Sequence, residues 1–107
     1  MERISVATVQ EAYRQTGLIP TRRLTYGNGF ACPIAAVAAA RSFTERGEPW
    51  DFGHLVSYLG LSSSYTLGFM HSFDEIERLE RPAYPQYLVG YEDGQAAAAA
   101  LFPTAAS

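Results

Sequence analysis

A chain of 107 residues is the length of one domain and can bury a core of its own. Its net charge is −3, every cation is arginine, and the densest basic spot is Arg22-Arg23; without a phosphate-tracking stripe, no nucleic-acid partner is expected. A charged fraction of 18 % beside 48 % hydrophobic residues argues against disorder, and a single cysteine excludes an internal disulfide.

Met1 to Ser5 lacks an apolar signal core. The longest apolar run, Phe30 to Ala40, is too short and too alanine-rich to span a bilayer. A cytoplasmic location and no membrane partner are therefore expected. Arginine in place of lysine, with abundant alanine, is a compositional mark of a GC-rich bacterial genome.

The first helix is well signed. Ser5 suits the N-cap, Ile4 and Val9 suit a hydrophobic staple, and Val6, Val9, Ala12 and Tyr13 share a face. Gly17 fits the left-handed position past its end, and Leu18 reaching back to Tyr13 would complete a Schellman-type stop. Residues 18–31 carry no helical stripe and read as an irregular connector. Asn28-Gly29 suits a type I′ turn, but the strand-like flanks are so short that a hairpin is the lesser reading.

A second helix begins at Cys32-Pro33, with Cys32 as N-cap and Pro33 at the first helical position. Ile34, Val37, Ala38 and Arg41 form one stripe, and Ala35, Ala36, Ala39 and Ala40 cover the remainder. A helix so small and apolar on all sides is expected at the centre of the fold, running Pro33–Arg46 until Gly47 closes it. Asp51 caps a third, carrying Phe52, Leu55, Val56 and Leu59, which stops at Gly60-Leu61.

Ser62 or Ser63 opens a fourth helix with Tyr65, Phe69, Phe73, Ile76 and Leu79 on one face. Gly68 marks a close contact within it. Asp74 and Glu77 read as the cap and box of a possible restart, and Pro82 ends the segment. The fifth runs from Tyr84-Pro85 to Phe102, leaving a frayed tail at 103–107. In it Gly90, Gly94 and Ala98 form a small-residue ridge, for which the alanine-walled second helix is the natural partner. The strong helix formers Ala96 to Ala100 favour a helix over a hairpin at 87–95. The whole reads as a single all-α domain, a compact five-helix orthogonal bundle with an Ala-rich central helix.

Three kinds of site can be read from the residues. Cys32 stands at a helix N-terminus, where unpaired N–H groups and the dipole should lower its pKa; with His71 as base and Asp74 as orienter it would form a thiol nucleophile or redox sensor. Tyr26, Phe30, Tyr65 and Tyr91 would line a pocket for a small ligand. The tyrosine-rich C-terminal half also suits an interface, so the leading expectation is an accessory interaction module acting as a homo-oligomer, most simply a dimer. One cysteine and two histidines lack zinc spacing, no Glu-x-x-His pair is present, and Gly27-Asn28-Gly29 lacks a phosphate-loop fingerprint, so no metal or other cofactor is expected. Glu77 and Glu80 are read as surface partners of Arg78 and Arg81.

Overall fold

The computed structural model describes residues 1–79 and 84–103. Helix α1 spans Val6–Thr16, and the Ser5 hydroxyl accepts a hydrogen bond from Thr8 N–H at 3.1 Å. Ile4 and Val9 are both buried, as a staple requires. Gly17, at φ 72°, donates its N–H to the Tyr13 carbonyl. Leu18 N–H goes instead to Thr16 Oγ1, so the stop is the simpler single-bond motif rather than a Schellman motif.

The connector is not irregular. Strands β1 (Ile19–Pro20), β2 (Tyr26–Gly27) and β3 (Phe30–Ala31) form a mixed sheet in the order β1-β3-β2. β3 pairs parallel with β1 and antiparallel with β2. Asn28 and Gly29 both have positive φ, the condition for the tight hairpin turn. Pro20 lies on an edge strand, where its missing N–H removes no ladder bond. The all-α, five-helix-bundle expectation is thus corrected: among the described residues five helices accompany a small three-stranded sheet. Two-residue strands are too short to show the alternation by which strands are recognised.

Helix α2 (Pro33–Ala40) starts as expected, and Pro33 to Ala38 are all buried. It stops short of the expected Arg46. Ser42 takes a left-handed φ of 71°, its N–H bonds the Ala39 carbonyl, and Phe43 N–H bonds the Ala38 carbonyl. This is a Schellman closure without glycine. Phe43 then reaches Trp50 and Tyr58 edge-on, at 5.0 and 5.1 Å, and Trp50 stacks on Tyr26 at 3.9 Å. Aromatic burial offsets the strain of leaving the helical track.

Helix α3 (Phe52–Leu59) is capped by Asp51 and ended by Gly60 at φ 67°. Helix α4 (Ser63–Phe73) is capped by Ser62 and buries Tyr65, Phe69 and Phe73. It ends at Phe73, so Ile76 and Leu79 do not extend the buried stripe and are each 43 % exposed. The Asp74–Glu77 box opens no helix over residues 75–79. Glu75, at φ 59°, closes α4 through a bond from Ile76 N–H to the His71 carbonyl. Arg22 takes over beyond that point. Its Nε donates to the Phe73 carbonyl at 2.7 Å, and its guanidinium pairs with Glu75 at 3.1 Å. A cation at a helix C-terminus is favourable.

Helix α5 (Pro85–Leu101) confirms a helix over 87–95. Its glycine ridge meets α4 rather than α2. A Cβ on Gly90 would overlap the Tyr65 carbonyl and stand 3.0 Å from Phe69 N; one on Gly68 would overlap the Tyr87 carbonyl. Gly94 is equally closed by Phe69 and Ser72. Backbone thus packs on backbone along the α4–α5 seam, which alanine side chains on α2 would have prevented. Helix α2 packs instead against α1 and α3.

The N-terminal segment is tied across the seam. Tyr65 accepts Ile4 N–H at 2.7 Å and donates to Asp93 Oδ2 at 2.5 Å, while Arg3 pairs with Asp93 at 2.7 Å. Glu80, Arg81, Pro82 and residues 104–107, on which the expected ion pairs, helix stop and frayed tail partly fall, lie outside the described residues. Among the described residues no helix is long and apolar enough to cross a membrane.

Candidate functional site

The face of α4 turned away from α5 borders a groove of about 430 Å³. Its apolar walls are Leu24 from the β1–β2 loop, Phe52 from the first turn of α3, Leu67 and Met70 from α4, and Ile76 beyond it. Thr25, Arg23, His71 and Asp74 supply its polar groups. A second depression of about 460 Å³ continues along the α3–α4 hairpin and shares Phe52 and Leu67 as walls. Apolar walls with a few convergent polar groups are the ordinary make-up of a binding site.

Asp74 is 6 % exposed. It follows the last residue of α4, and its Oδ1 accepts the backbone N–H of Arg23 at 3.0 Å. Arg23 reaches that position with a left-handed φ of 62°. Burial pushes the Asp74 pKa above the usual aspartate value; the Arg23 bond and the nearby Arg23, Arg22 and His71 offset this only in part.

His71 faces the same groove, and its Nδ1 lies 2.7 Å from the Tyr87 hydroxyl. That hydroxyl also accepts Leu79 N–H at 3.1 Å. Tyr87 is 2 % exposed, so its single proton needs an acceptor inside the protein. Hydrogen counting gives that proton to His71 Nδ1, which leaves the neutral ring protonated at Nε2.

Cys32 is brought near Asp74 but not into the groove. It is completely buried, and its Sγ accepts Ala35 N–H at 3.5 Å. Burial pushes the thiol up to about 12, with the Asp74 charge adding to the effect, although bonds from Ala35 and neighbouring N–H groups oppose it. The expected lowering by the helix N-terminus is therefore reversed: desolvation outweighs the dipole. In this conformation Cys32 works as a cap, and no reactant reaches its sulfur.

The four aromatic residues read as one pocket are dispersed. Tyr26 stacks on Trp50, and Phe30 is exposed on the hairpin. Tyr65 is buried beneath the N-terminal tie, and Tyr91 lies beside Tyr87 with Arg78 over its ring. Leu24, Phe52, Leu67, Met70 and Ile76 were not singled out as a site by the spacing. One signal for them is present in the chain: Leu67, Met70, His71 and Asp74 form a second stripe on α4, opposite the aromatic one.

Among the described residues no group of three or more His, Cys, Asp and Glu side chains is placed to hold a metal ion. Comparison with known protein families, curated proteins and solved structures finds no match.

Proposed function

We propose that this protein is a non-catalytic binding module and that the α3–α4 groove receives its ligand. The observation that carries this reading is the concentration of Leu24, Phe52, Leu67, Met70 and Ile76 around one cavity that also holds a nearly buried carboxylate. Exposure of Leu67 at 44 % and Ile76 at 43 % adds support, since apolar walls left in water gain by being covered. The thiol-enzyme reading gains no such support, because Cys32 is sealed and burial pushes its thiol up to about 12.

The chain has only two methionines, and Met70 alone lines the groove. Methyl-labelled methionine therefore gives a two-signal NMR spectrum in which Met1 is the internal control. Apolar fragments should shift the Met70 methyl and leave Met1 unmoved. A library that moves neither signal contradicts the proposal.

A homodimer is proposed alongside, on a separate observation: Leu79, Tyr84 and Leu88 expose 43 %, 64 % and 38 % of their surface around the start of α5. Light scattering at micromolar concentration should give twice the chain mass. A clean monomer removes this part of the reading.

A further inference from the structure

We infer that the ligand carries an amine, or an equivalent positively charged N–H group, on an apolar body, and that Asp74 is the group that receives it. This rests on the groove reading and assigns its ligand class.

Asp74 uses one oxygen to hold Arg23 N–H. Among the described residues its other oxygen, Oδ2, has no hydrogen-bond partner. No fully sealed side-chain oxygen or nitrogen lacks a partner. Oδ2 therefore retains contact with open space, and Asp74 borders the groove. A side chain more than nine-tenths buried, with one acceptor unpartnered among the described residues, thus borders a cavity with apolar walls.

The cations nearby do not take that oxygen. Arg22 is committed to the Phe73 carbonyl and Glu75, with its guanidinium 4.3 Å from the centre of the Phe102 ring. Arg23 offers its backbone N–H to Oδ1, while its side chain also borders the groove and makes no ion pair among the described residues.

Holding Arg23 N–H does not by itself require a carboxylate. An asparagine oxygen would accept Arg23 N–H equally well, and an amide is cheaper to bury than a charge. What aspartate adds is negative charge and a second strong acceptor. Burial already penalises that charge, and an arriving cation would relieve the penalty. The apolar walls set the remainder of the molecule: an alkyl or arylalkyl chain lying along Leu24, Met70 and Leu67, with room to continue past Phe52 into the second depression.

The test compares phenethylamine with phenethyl alcohol, which share an apolar body and differ in the head group. Both are titrated into the full-length protein and read at the Met70 methyl. The amine should bind about tenfold more tightly than the alcohol, the gain of a charge-assisted hydrogen bond. Its advantage should fade as pH falls through the raised Asp74 pKa. Asp74→Asn, which keeps an acceptor for Arg23 N–H, should make the two affinities equal. Equal affinities in the wild type, or an amine preference that survives in Asp74→Asn, overturns the amine assignment and leaves the groove reading standing. If neither compound moves Met70, the groove reading itself fails. The wild-type comparison is decisive even if the variant folds poorly.

Discussion

Helix α4 has two faces that solve opposite problems. Toward α5 it presents Gly68 and the Tyr65 and Phe69 carbonyls to Gly90 and Gly94, and no Cβ fits between them. Toward α3 it presents Leu67 and Met70 to a groove, with Leu67 44 % exposed, while His71 at the groove's border also reaches Tyr87 of α5. The first face excludes side chains and holds the fold together. The second keeps apolar side chains in water, which stability alone does not favour. A helix that maximised its own burial would show two faces of the first kind.

The largest effect is expected at the seam. In an unconstrained helix Gly→Ala is stabilising by about 1 kcal/mol. At Gly90 the added Cβ would overlap the Tyr65 carbonyl, which is backbone and cannot rotate aside. Gly90→Ala should therefore destabilise by about 3 kcal/mol or more in denaturant unfolding, and Gly68→Ala likewise. A stabilised variant would mean that the two helices are not in contact there.

A smaller loss is expected inside α2, where the neighbours are side chains able to repack. Val37→Phe or Ala36→Leu, both at fully buried positions, should cost about 1–3 kcal/mol. A variant as stable as wild type would remove α2 from the centre of the fold.

The seam also has a pH signature. Burial acts to raise Asp93, but its bonds from Arg3 and Tyr65 hold it below the ordinary value of 3.8. A folded-state pKa depressed in this way contributes stability that is complete above the unfolded value and lost as pH falls through the folded one. Asp93→Asn should lower the thermal midpoint at neutral pH, and its difference from wild type should shrink in acid. A pH-independent difference would show that the carboxylate charge is not what ties the N-terminal segment down.

Sequence spacing made much of the first face legible and little of the second. Caps and stops are local, so Ser5, Gly17, Cys32-Pro33, Asp51, Gly60 and Ser62 could be read in order. The small-residue ridge of α5 was visible as a ridge, but its partner depends on long-range packing. The end of α2 was hidden because Ser42 is held left-handed by bonds and aromatic contacts that form only in the folded chain. The end of α4 was hidden for a related reason: Arg22, far away in sequence, completes it. Of the candidate site, His71 and Asp74 do face one groove, but Cys32 does not join them there. Helical position indicates a dipole, whereas desolvation requires knowing what surrounds the sulfur. The apolar walls come from three separate segments, so no local period could assemble them.

The most direct measurement is the Met70 methyl titration repeated on Leu67→Glu. Leu67 borders both depressions and contributes its exposed face to them rather than to the core. A surface change of this kind should alter stability by only about 0.5 kcal/mol. The variant should fold normally, and its Met70 signal should no longer respond to the apolar probes. A variant that binds them as wild type does, or one that unfolds, would contradict the division of α4 into a structural face and a binding face.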